Sequence, residues 1–233
     1  MVTKKASSLN PEHNRKTPDN LRAVWEQLAG RYCSDHELID RFFNEIERKY
    51  TSSRRHYHNL QHIQALLAFC ESYAGQLKDA EVVAFAVFYH DIIYNVLRKD
   101  NEPRSAQIAV KRLQALTVPP EKTEQVKLYI EATQTHAITA SVTHTGDLQL
   151  FLDFDMSILG ADWAAYEAYT HQVRREYRIY PDKIYYPGRK QFLQHCLQAE
   201  HLFQTPVFRD RYEARARENM AQELEVIEGK LKA

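Results

Sequence analysis

Along most of the chain the apolar positions recur at intervals of three and four, the spacing that gathers side chains onto one face of an α-helix, and only six glycines interrupt it. The expectation is an all-α protein. Thr17 and Pro18 read as the N-cap and first-turn proline of a helix to about Leu28. Ser34 or Asp35 opens another, whose Leu38, Ile39, Phe42, Phe43 and Ile46 share a face. Asn59 caps a third helix running to about Tyr73. The run KDAEVVAFAVFYHDIIY is apolar almost all round and predicts a central helix buried by its neighbours, carrying His90 and Asp91.

Beyond it, the polar loop VLRKDNEPRSA leads into a helix starting near Asn101, and TVPPEK separates this from one ending near His136. Residues 147–159 regain apolar spacing with Asp153 and Asp155 embedded, and Gly160 closes the segment. Three more helices are predicted near residues 161–177, 189–203 and 207–231. No internal repeat and no dividing linker is visible, so the chain reads as a frayed leader over residues 1–16 and one helical domain over residues 17–233.

Composition narrows the picture. An apolar content of 44% over 233 residues is ample for a continuous core. Lys+Arg and Asp+Glu both total 31 and no long tract of like charge occurs, which disfavours binding to bulk nucleic acid. Cys33, Cys70 and Cys196 lie far apart without CxxC spacing, as suits reduced thiols in a cytoplasmic protein. No window of eighteen consecutive apolar residues predicts a membrane span.

Candidate chemistry begins with RRHYHNLQHI, residues 54–63, which holds three histidines in seven positions. His58 and His62 are four apart, so a helix capped by Asn59 lets both face one point. His90 and Asp91 are adjacent, about 100° apart around a helix, so only an ion over the seam between them can take both. An unpaired carboxylate within FYHDIIY is expensive, and a divalent ion removes that cost most completely. The alternative is that Asp91 is the charge partner of a buried, hydrogen-bonded His90. The same choice arises for Asp153 and Asp155 in LFLDFDMSIL. Two residues apart on a helix, they point about 200° apart and cannot both address one ion. Asp155 shares an apolar stripe with Ile158 and Leu159 and is the expected ligand, with Asp153 in support.

In order along the chain stand YHNLQHI, FYHDIIY, NEPRSA, THA and DFDMSILG. This series resembles the HD superfamily of metal-dependent phosphohydrolases, in particular a bacterial group of predicted HD phosphohydrolases, most strongly over about residues 54–160. The resemblance implies an HD-type helical bundle with a metal-site core there and a C-terminal helical extension over residues 161–233. Carried over position by position, His62, His90, Asp91 and Asp155 match the family's metal ligands, Asp153 competing for the last place. The implied activity is hydrolysis of a nucleotide or other small phosphorylated metabolite.

Imidazole and carboxylate donors together suit Mn²⁺, Fe²⁺, Co²⁺, Ni²⁺, Zn²⁺ or Mg²⁺, and open positions on such an ion supply a hydroxide to attack phosphorus. Asp91 would both ligate and orient that water. His58 would contact phosphate or protonate a leaving oxygen, or else is a helix-terminal structural histidine. Glu102 orients a water or a substrate hydroxyl, or is the first-turn acid of its helix. Arg98, Lys99 and Arg104 bind phosphate or are solvated charge. His136 lines the pocket; because some HD relatives carry extra histidines between the pair and the last Asp to bind a second ion, the resemblance also implies, through His136 and His144, the alternative of a dinuclear-iron oxygenase, and a non-catalytic nucleotide-binding helical module is the other alternative. Met220, Leu224, Ile227 and Leu231 form a short seam suited to core packing or to a homodimer.

Overall fold

The computed structural model describes residues 17–136, 138 and 145–232, and among these every regular element is helical. The proposed leader and His144 lie outside the described residues. In chain order the helices are α1 (Thr17–Ala29), α2 (His36–Tyr50), α3 (Leu60–Ser72), α4 (Ala80–Tyr89), α5 (Asn101–Ala115), α6 (Pro120–Ala132) and α7 (Thr145–Met156). A 3₁₀ turn (Ser157–Gly160) follows, then α8 (Trp163–Glu176), α9 (Asp182–Gln198), α10 (Pro206–Phe208), a π-helical segment (Arg209–Glu213) and α11 (Ala214–Lys232).

Local chemistry fixes the starts. Asp35 accepts from the Leu38 amide to cap α2, Asn59 from the Gln61 amide to cap α3, and Asp79 from the Val82 amide to cap α4. α4 is the centre of the bundle. Val82, Val83, Phe85, Ala86, Val87, Phe88 and Tyr89 are all buried, and the helix packs against α3, α5, α6 and α7. Trp25 of α1 meets Phe85, Phe88 and Tyr89 edge-on and donates its indole N–H to the Ile39 carbonyl. The buried carboxylate of Asp147 in α7 accepts from the Lys78 and Asp79 amides, which ties the start of α7 to the start of α4.

Three boundaries differ from the sequence expectation. α4 ends at Tyr89 rather than continuing through Asp91, because side chains from elsewhere take the next backbone groups. The Asp91 amide donates to Tyr50 Oη, the Ile92 carbonyl accepts from Arg55, and the Ile93 amide donates to Ser105 Oγ. α9 starts seven residues before the expected Arg189 and carries Pro187 inside it. The expected last helix is divided by the π-helical segment, where Tyr212 packs against Gly160. The C-terminal seam turns inward: Met220 and Ile227 are fully buried, α11 packs on α9 and on the 3₁₀ turn, and Leu231 stays exposed.

Candidate metal centre

Asn59 starts α3 so that His62 falls on its first turn, and the imidazole is buried. His90 occupies the C-cap of α4, where its Nδ1 lies 2.9 Å from the Val87 carbonyl. That bond makes Nδ1 the protonated nitrogen and leaves Nε2 facing His62, 3.1 Å from its Nε2. Asp91 follows in the turn, with Oδ2 3.2 Å from His90 Nε2. His90 keeps helical φ and ψ at the C-cap, so the two adjacent residues meet over the seam between them. His62, His90 and Asp91 each offer a donor atom within 4.8 Å of the other two, a group that can hold a metal ion.

Asp155 approaches from α7. Its Oδ1 lies 3.2 Å from His62 Nε2 and 3.8 Å from His90 Nε2, and its Oδ2 lies 3.1 Å from His136 Nε2. Asp153 points elsewhere, accepting from the Gln204 and Thr205 amides and the Thr205 hydroxyl at 2.5–2.8 Å. It anchors the entry to α10 and touches no histidine of the group. Gln204 in turn donates to the His136 carbonyl, so Asp153 reaches the site only through that segment. His136 adopts φ 51°, a left-handed conformation costing a non-glycine residue on the order of 1 kcal/mol, held by these contacts on both its carbonyl and its ring.

Charge follows the geometry. Burial resists ionisation of Asp91, but the charges of His90 and His58 hold its carboxyl far below the usual range. Burial likewise opposes a charge on Asp155, and hydrogen bonds from His136 and His62 overcome it. With two Nε2 atoms face to face, one position must carry a proton or both must share a cation. Without an ion the proton belongs on His90, whose value rises to about 9 through Asp91 despite burial, while burial lowers His62. Two imidazole nitrogens beside two ionised carboxylates form a donor set that a divalent ion fits.

His58 stands just outside this group. Its ring stacks on Tyr94, with centroids 4.2 Å apart, and its Nδ1 lies 2.7 Å from Glu176 Oε2. Burial lowers the imidazole's affinity for a proton, but the charges of Asp91 and Glu176 raise it further, and the net shift is upward. Glu176 was not visible from the sequence. Its buried carboxylate accepts from the His56, Tyr57 and His58 amides and from the Tyr94 hydroxyl as well as from the His58 ring. The signal that could have found it is weak: a lone acid at the end of an amphipathic helix.

Glu102 sits in the first turn of α5, and burial raises its carboxyl, with Asp91 adding to the shift and His136 opposing it. It therefore borders the group. Arg98, Lys99 and Arg104 do not join it. Arg98 pairs with Asp100 at 2.6 Å, Arg104 lies 3.9 Å from the same acid, and Lys99 contributes its carbonyl to Gln134. Beside His58, a cavity of about 390 Å³ opens between α8 and α9, walled by Tyr94, Tyr169, Tyr177, Tyr180, Tyr185 and Phe192. No helix among the described residues is long and apolar enough to cross a membrane. Comparison with protein-family models, with curated proteins and with solved structures returns no match.

Proposed function

We propose that the protein is a metal-dependent phosphohydrolase of the HD type, acting on a nucleotide or another small phosphorylated metabolite. One observation carries the reading: His62, His90 and Asp91 converge within 4.8 Å, with Asp155 adjoining, from segments that follow the order His, His-Asp, Asp along the chain. His62, His90, Asp91 and Asp155 would hold a divalent ion. Such an ion supplies Lewis acidity toward a phosphoryl oxygen and makes water acidic enough to serve as a nucleophile near neutral pH.

The chain's own groups supply the rest. Glu102, whose carboxyl burial raises, borders the site and is suited to accept a proton from attacking water, while Asp91 would orient that water. His58, held by Glu176 and with the effect of burial on its proton affinity outweighed by the charges of Asp91 and Glu176, is the donor toward a leaving oxygen. The tyrosine-walled cavity beside His58 offers an apolar surface for the part of the metabolite that does not react. The test is phosphate release by metal-supplemented protein across nucleoside mono-, di- and triphosphates and simple phosphoesters. Release that Asp91→Asn abolishes supports the reading, and silence across the panel contradicts it.

A second reading draws on the contact of His136 with the outer oxygen of Asp155, which sets one more imidazole where it would help to hold a second ion. Two iron ions per chain with oxygen consumption on a polyol or phosphonate, in place of phosphate release, would favour a dinuclear oxygenase.

A further inference from the structure

The chain as a whole carries no net charge, yet one cavity is strongly basic. A space of about 830 Å³ lies among the end of α2, the loops before α3 and after α4, and the end of α8. Arg48, Lys49, Arg54, Arg55, Arg104 and Arg178 line it together with Arg98, against a single carboxylate, Glu176. That carboxylate is occupied by three amides, His58 and Tyr94. Asp100 serves Arg98 and lies 3.9 Å from Arg104. Arg48, Lys49, Arg54 and Arg178 enter no ion pair among the described residues.

Four of the seven cations, Arg48, Lys49, Arg54 and Arg178, thus face the concavity with no carboxylate partner among the described residues, and a ligand carrying several negative charges would complement them. Guanidinium groups are planar forks that match phosphate oxygens two at a time. One phosphate engages two or three such groups, so a wall of this size suits several linked phosphates. The concave shape, and the absence of a basic tract continuing across the chain, favour a small molecule over a duplex. None of His62, His90, Asp91 or Asp155 lines the cavity. It adjoins their segments through Arg55, whose two terminal nitrogens donate to the His58 and Ile92 carbonyls, each at 3.1 Å.

We propose that this cavity is a second binding site, separate from the metal centre, for a small molecule bearing a condensed phosphate chain. The source of that chemistry is either inorganic triphosphate or the triphosphate of a nucleotide.

Isothermal titration of the full chain with inorganic triphosphate and with a nucleoside triphosphate, at fixed salt, tests it. Wild type should bind at least one of the two, and which one it prefers identifies the source. Arg54→Glu combined with Arg178→Glu, both exposed positions, should weaken binding at least about tenfold while circular dichroism stays native. If that pair fails to fold, Arg178→Ala with a severalfold loss serves instead. Asp91→Asn should bind as wild type does, which also separates site binding from chelation of a metal. Absence of binding overturns the proposal, as does loss in Asp91→Asn with retention in the charge-reversed protein. Leu97 and Ile179 at the rim are 58% and 60% exposed, so vesicles containing phosphatidylserine, and a DNA duplex, complete the panel. Tighter binding to either than to the triphosphates overturns the assignment to a small molecule.

Discussion

Glu176 reaches across 118 residues of chain to set its Oε2 2.7 Å from Nδ1 of His58. The same carboxylate receives three consecutive amides, so it shapes the approach to α3 and orients the imidazole at once. Replacing it with Ala leaves several buried donors unpaired and should cost about 3–5 kcal/mol in chemical denaturation. Glu176→Gln retains one acceptor and should cost about 1–3 kcal/mol. In the Gln variant the His58 pKa, followed by NMR, should fall. An unchanged His58 titration would remove Glu176 from the chemistry of the site.

Acid should expose the same carboxylate. Burial opposes its charge, but His58 and the backbone amides hold its pKa at about 2 against an ordinary 4.5. A carboxylate depressed on folding stabilises the protein fully above its unfolded value, and that contribution disappears as pH falls from about 4.5 toward 2. The difference is on the order of 3 kcal/mol. His58 works in the opposite sense: its raised pKa adds stability that is complete below about 6.5 and is lost as pH rises through the folded value. Denaturation midpoints across the acid range should decline less steeply in Glu176→Gln than in wild type.

Gly160 tests how the C-terminal helices seat on the site. A Cβ there would lie 2.6 Å from Tyr212 Cβ and 2.7 Å from the Tyr212 carbonyl oxygen, atoms that move only with the backbone. Gly160→Ala should destabilise by about 1–3 kcal/mol while leaving His62 and His90 in place. A melting temperature equal to wild type would contradict that close approach.

How far the sequence carried the structure can be seen residue by residue. Asp35 and Asn59 were readable as caps because capping depends on the residue and its immediate neighbours. The end of α4 was not, because apolar residues continue past it and the groups that stop it, Tyr50, Arg55 and Ser105, come from other elements. Nor was the start of α9, expected near residue 189, since the helix opens at Asp182 and continues through Pro187. His62, His90, Asp91 and Asp155 were legible as candidates from spacing and from resemblance, and the fold brings them together. Glu176 was hidden, and of the basic wall only Arg98 and Arg104 were legible as phosphate candidates, since the rest depends on tertiary partners far away in sequence. The opposite directions of Asp153 and Asp155 followed from helical period alone, but the partner of Asp153, the Gln204–Thr205 backbone, did not.

The two acids of α7 should separate cleanly. Asp153→Asn loses acceptor strength toward Gln204 and Thr205 and should lower stability by about 1–3 kcal/mol with metal content intact. Asp155→Asn should retain the fold and lose most of the metal. Elemental analysis beside thermal denaturation of both variants decides the matter, and the reverse pattern would exchange their roles.

The central claim is that His62, His90 and Asp91 hold a divalent ion with Asp155, and the most direct test is metal content per chain by elemental mass spectrometry. Protein equilibrated with Mn²⁺ or Ni²⁺ and freed of excess should retain close to one ion, and His90→Ala and Asp91→Ala should each abolish this and lower the melting temperature of the loaded protein. Wild-type protein that stays empty after loading, or variants that keep the ion as wild type does, would contradict the account.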